Sequence, residues 1–216
     1  MSGTIKAWHF TGPTLRDGTP LPRIGEWLWH QGEIVPCKSG LHASQRIWDA
    51  ILYCRLIPCE TPILHRVQLR GELVFHNGTK VVGRERKILA SRNVDKLLKR
   101  FAVEQATRVA NITGFQIPEV VLKYWETFDS NLLREAHKAV TILFHQLGVS
   151  PVAHHWSLRE GCNAVSMTLF ERGDQVVRGL FACMGNAGTY DVDLDTYARE
   201  LSKRIYAEFG EPYDEV

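Results

Sequence analysis

The chain lacks the features that announce most familiar functions. Its 216 residues hold no run of about 18 uncharged apolar residues, so no segment reads as a membrane span. The opening MSGTIKAWHF has none of the basic-then-apolar order of a secretory signal. Cysteine is sparse. The five present, Cys37, Cys54, Cys59, Cys162 and Cys183, form no disulfide framework, and their odd number leaves at least one unpaired. Reduced thiols and a cytoplasmic setting are therefore expected. Cys54 with Cys59, Cys37 with His42, and the adjacent His154 and His155 all miss the paired close spacing of a zinc site, so no metal is expected. A Gly-x-Ser-x-Gly elbow, a glycine-rich phosphate loop with its trailing lysine, and a three-glycine dinucleotide fingerprint are missing as well. Ordinary hydrolase, P-loop and dehydrogenase classes fail on those missing parts.

What is present is ordinary globular composition, 44% hydrophobic and 23% charged, with enough chain to bury a core. The near-neutral net charge of +2 hides an asymmetry. Residues 1–128 carry 18 Lys and Arg against 11 Asp and Glu, a net of +7, and residues 129–216 carry 8 against 13, a net of −5. Two units are expected, a basic α+β domain over 1–128 and an acidic αβ unit over 129–216. The basic excess peaks over Lys80–Arg100, which could meet phosphates, and nucleic acid as a partner is left open.

Periodicity places the elements. Ile5–Phe10 reads as a strand, residues 11–26 as loop, and Glu26–His30 and Gly32–Val35 as short strands. Ser44 is a natural N-cap for a helix with Ile47, Ala50, Ile51 and Cys54 along one face. Ile63–Leu69, with Glu72–Phe75 beyond it, and the Lys80–Val82 and Arg86–Ala90 runs read as strands around an Asn77-Gly78 turn. Asn93 precedes a helix carrying Val94, Leu97, Leu98, Phe101 and Ala102, and another helix follows Pro118. Ser130 opens a helix with Leu133, Ala136 and Val140 on one face. Residues 153–159, 164–170 and 175–183 read as three strands, the last two joined by a hairpin at Glu171–Asp174, before a final helix bearing Tyr197, Leu201 and Ile205. The expected fold is thus α+β, a mixed N-terminal domain followed by a smaller helix–three-strand–helix unit. Caps and turns over 1–128 look complete, and that stretch is expected to fold alone.

Two resemblances attach to residues 3–125. Cys37-Lys38-Ser39-Gly40-Leu41-His42-Ala43, the opening Ile5–Phe10, the strand at Ile63–Val67 and the Lys80–Leu89 segment resemble an uncharacterised family of bacteriophage and prophage proteins. The Ser-Gly-Leu-His-Ala core is its most specific part. The acidic tail departs from the alanine-rich helical tails of that family. The second resemblance is to the ADP-ribosyltransferase fold. His9-Phe10-Thr11-Gly12 is similar to its first strand element, and Gly40-Leu41-His42-Ala43-Ser44 to its second, with His42 where a tyrosine is usual. That resemblance implies NAD as cofactor, with His9 and His42 at the nicotinamide end. The usual glutamate has no match near Thr79–Val82; Glu85 is the nearest carboxylate, with Glu72 another option.

The phage resemblance implies an accessory protein that acts by binding a partner or a phosphate-bearing ligand; the alternative is an NAD-using transferase, whole or degenerate. His9, His42 and Glu85 are the candidate catalytic residues, and Thr11, Gly40, Ser44 and Arg46 the candidate ligand-binding ones. Gly40 allows close backbone approach and the helix start near Ser44 favours anions. A protein partner or self-association is expected through residues 129–216, and no membrane contact is expected.

Overall fold

The computed structural model describes residues 3–15, 17–54, 57, 61–147, 153–187 and 194–213, without the side chains of residues 153–156 and 183–187. The protein is α+β. Its chain divides into two compact units, residues 1–94 with 198–216, and residues 95–197. The charge sign changes elsewhere, at residues 127–131, between two helices of the second unit.

The first unit is an antiparallel sheet. Ile5–Thr11 forms β1, Trp27–Trp29 β2, Leu41–Ala43 β3, Ile63–His76 β4 and Lys80–Arg92 β5, with one helix, α1, over Ile47–Cys54. Strand order is β1-β4-β5-β2, and β3 also pairs with β5. The β4–β5 hairpin turns at Asn77 and Gly78, both at positive φ, a conformation that these two residue types tolerate best. Gly71 does not end β4; it sits at positive φ where the register shifts between Arg70 and Leu73, so the two expected runs join as one bulged strand. Gly32–Val35 makes no strand, only an isolated bridge from Val35 to Ser39. Helix α1 begins at Ile47, and Ser44 exchanges backbone hydrogen bonds with Trp8 instead of capping it.

Alternation along β1 sends its side chains two ways. Ala7 joins Ala43, Val67, Leu69, Val81 and Ile88 in a buried cluster. Trp8, fully buried, meets Tyr206 and Phe209 edge-on at 5.1 and 5.0 Å between ring centroids. The Arg66 guanidinium lies 4.5 Å from the Trp8 ring centre and is paired with Glu211 at 3.0 Å. The sheet is therefore finished by residues from the far end of the chain, and residues 1–128 by themselves would leave Trp8 and Arg66 uncovered.

The second unit is helical. It comprises α2 (Asp95–Thr113), α3 (Glu119–Thr127), α4 (Ser130–Leu147), α5 (Ala153–Ser166) and α6 (Gly173–Ala187), with the start of α7 (Leu194–Glu208). The helices expected after Asn93, Pro118 and Ser130 are all present. The three strands expected over 153–183 are not. Buried Cys162 and Val165 on α5 stand three residues apart, and Leu180 on α6 stands four and three residues after buried Val176 and Val177, and that is helical spacing. The hairpin expected at Glu171–Asp174 is instead the entry to α6, where Gly173 N–H donates to Asp95 Oδ1 at 2.6 Å. Close approach, not turn-making, explains Gly161 on α5: a Cβ there would lie 2.2 Å from Thr113 Oγ1 and 2.5 Å from Phe115 Cβ. No helix among the described residues is long and apolar enough to cross a membrane.

Candidate functional site: a cleft over the histidine-bearing strands

A cleft of about 1520 Å³ opens within the first unit, walled by β1, the 12–26 loop, β2, the 37–40 turn with β3, and α1. His9, Thr11, His42, Ser44, Tyr53, Lys80 and Arg86 line it. Of the seven residues singled out by sequence, His9, Thr11, Gly40, His42 and Ser44 are brought together here. Glu85 and Arg46 are not.

Glu85 is separated by strand geometry. It neighbours Arg86 on an unbroken stretch of β5, so the two side chains leave opposite faces. Glu85 pairs with Arg70 at 2.7 Å. Arg46 is exposed and clamps the buried Asp49, with Nε and Nη2 donating to the two carboxylate oxygens at 2.8 and 3.2 Å. It holds the first turn of α1 and does not line the cleft.

The other residues have distinct roles. Gly40 sits at φ +104°, and a Cβ there would lie 2.5 Å from Val82 Cγ1; it seats the loop on β5. His42 is held by its own loop. Nδ1–H donates to the Gly40 carbonyl at 3.0 Å, and Nε2 accepts the Cys37 N–H at 3.0 Å. Both nitrogens are engaged in the neutral form.

His65, which sequence reasoning passed over, closes a relay. The Thr11 hydroxyl donates to the Gly12 carbonyl at 2.8 Å and so accepts from His65 Nε2–H at 2.8 Å, while Nδ1 accepts the Ser91 hydroxyl at 2.7 Å. Burial, with Arg86 nearby, lowers its pKa to about 4. Thr11 is thus a support for His65. The unfolded chain takes up this proton below pH 6.5 and the folded chain only near pH 4, so stability is full above 6.5 and falls as pH drops between those values. The gap is worth about 3 kcal/mol. Urea unfolding at pH 7 and pH 4.5 is expected to show that loss, and a His65→Asn variant to show a shallower pH dependence. Equal pH dependence in the two proteins would contradict it.

His9 and Arg86 are the groups that face the cleft with capacity to spare. His9 stands opposite His65 across the β1–β4 pair and makes no hydrogen bond among the described residues. Burial, then Arg86, His65 and His42, hold its pKa well below 6.5. Arg86 is buried to 5% exposure. Its Nη1 donates to the His42 carbonyl at 2.6 Å, and no carboxylate among the described residues pairs with it. Desolvation lowers even this guanidinium to about 10. At the rim, Lys80 Nζ lies 3.9 Å from the centre of the Tyr53 ring, and the Tyr53 hydroxyl is 3.0 Å from Thr79 Oγ1.

The signal for Arg86 lies in the period of β5. Arg86 shares strand parity with the buried Val82 and Ile88, so alternation turns it inward, whereas the basic run around it suggests a solvated stretch. No group of three or more His, Cys, Asp or Glu among the described residues is placed to hold a metal ion. Comparison with protein-family models, curated proteins and solved structures finds no match to the chain.

Proposed function

We propose that the protein is a phage- or prophage-type accessory protein whose first unit binds a phosphate-bearing ligand in this cleft, with Arg86 as the anion anchor and His9 as its neighbour. The observation that carries the reading is the buried guanidinium with no carboxylate partner among the described residues. A charge taken out of water is costly unless something pairs with it, and an anionic oxygen is the natural complement to a guanidinium fork. The cleft is far larger than one phosphate, so the anion is one end of a bigger molecule.

Binding is coupled to protonation of His9. In the free protein three neighbouring cations or potential cations and burial keep the ring neutral; an anion beside it favours the charged ring. The bound pKa is then higher than the free one, binding takes up a proton between the two, and affinity rises as pH falls through that window. Sulfate, which keeps its charge across the range, is the suitable probe. Calorimetry from pH 8 to 5 is expected to show affinity rising by at most about tenfold per pH unit, and a His9→Gln variant to lose the dependence. No saturable binding of sulfate or inorganic phosphate at any pH would overturn the reading.

NAD-using transferase chemistry is the second reading, favoured by one observation: the His9–Gly12 and Gly40–Ser44 segments lie on the same cleft, joined by the Trp8–Ser44 bridge. The carboxylates lining the cleft are Asp17 and Glu26, whereas Glu85 is committed to Arg70. Nicotinamide release from NAD by the purified protein would favour transfer; NAD binding without release would favour the binding reading.

A further inference from the structure

The other face of the sheet carries a second feature. Strand registers align Lys6 of β1, Gln68 of β4, Lys87 of β5 and Trp27 of β2 in one row across four strands. The next row on the same face holds Arg70, Glu85 and Trp29. Lys6 is exposed, and Gln68, Arg70, Lys87 and Trp27 are half-buried. Trp29, on the outer strand, is 60% exposed, far more than a large aromatic ring needs to be. Trp27 is held by cations, with the Arg70 guanidinium 3.9 Å and the Lys87 ammonium 4.7 Å from its ring centre. Glu85 offsets Arg70, which leaves Lys6 and Lys87 as the surplus positive charge.

We propose that this face binds single-stranded nucleic acid, with Trp29 stacking on a base and Lys6 and Lys87 meeting phosphates. The combination is what selects the occupant. Cations alone would suit a duplex or an acidic protein, but neither offers a bare base to an exposed indole, and a single strand offers both groups. The indoles stand two residues apart on one strand, about 6.7 Å, a spacing suited to an extended rather than a base-paired chain. Trp27, with its cations, sets the floor beside the stacking position. Trp29 also borders the edge of the cleft, but the anion anchor does not share this face: Leu28 and Arg86, partners in register, lie on the opposite side of β2 and β5.

The test is fluorescence anisotropy of the full chain with a labelled oligodeoxythymidylate of about 12 nucleotides. Saturable binding at low salt is expected, weakened about tenfold or more by Trp29→Ala, an exposed change that leaves the fold intact. The double variant Lys6→Ala, Lys87→Ala is expected to lower the slope of log affinity against log salt by about 1.4. No binding to the wild-type chain, equal binding by Trp29→Ala, or equally tight binding of a duplex of the same length would each overturn the proposal. So would displacement by polyglutamate at equal charge concentration, which would assign the face to an acidic protein.

Discussion

Replacing Arg86 by methionine is expected to abolish measurable phosphate or sulfate binding, a loss of at least about a hundredfold for a charge-assisted, two-pronged contact. Stability should move the other way. Methionine fills similar space without a buried charge, so the variant is expected to unfold at an equal or higher temperature despite losing the bond to the His42 carbonyl. Removing the cation also relieves His9 and His65, whose pKa values both rise because Arg86 lowers each. A structural arginine would behave differently: its replacement would lower the unfolding temperature and leave anion binding unchanged. Arg86→Lys keeps the charge but loses the fork, and an intermediate affinity is expected. Calorimetry, thermal unfolding and imidazole titration on the same three proteins separate these outcomes.

Truncation after Tyr197 is expected to unfold the first unit. Trp8 would lose Tyr206 and Phe209, and the buried Arg66 would lose Glu211. Exposing a core tryptophan and stranding a buried cation each cost about 3–5 kcal/mol, together comparable to the whole stability of a domain. A fragment of residues 1–128 is expected to fail for the same reason. Phe209→Ala removes one ring and should cost about 2 kcal/mol, with hydrogen exchange in β1 and β4 accelerated accordingly. A truncated chain whose β1 and β4 amides stay protected would contradict this view of the sheet.

These two cases mark what the sequence made legible. Local signals worked where one element carried its own pattern: the Asn77-Gly78 turn, the apolar stripe after Asn93, and the Leu133–Ala136–Val140 face of α4. They failed over 153–183, where valine, threonine and phenylalanine suggest strands in short windows while the buried positions fall at helical steps, visible only over a longer stretch. Glu171–Asp174 has turn composition, but Gly173 is there because α6 starts against Asp95. Long-range packing left little local trace. Nothing near Trp8 announces that Tyr206, Phe209 and Glu211 will cover it and Arg66. The candidate site was half legible. His9 and the Gly40–Ser44 turn were readable from strand ends and glycine placement, and they do share a cleft. Glu85 was placed by proximity in sequence to a site that the pleat turns it away from. Arg86, adjacent to it, shares its parity with core residues and is the group facing inward.

The most direct measurement is a titration of the protein with inorganic phosphate, followed through the imidazole resonances of its histidines and the guanidinium resonances of its arginines. If the cleft is an anion site anchored on Arg86, the His9 and Arg86 signals shift together along one saturating curve and His9 gains a proton. His65, locked between Thr11 and Ser91, stays neutral throughout. Shifts that grow without saturation and spread over exposed lysines and arginines, with His9 and Arg86 unmoved, would contradict the account.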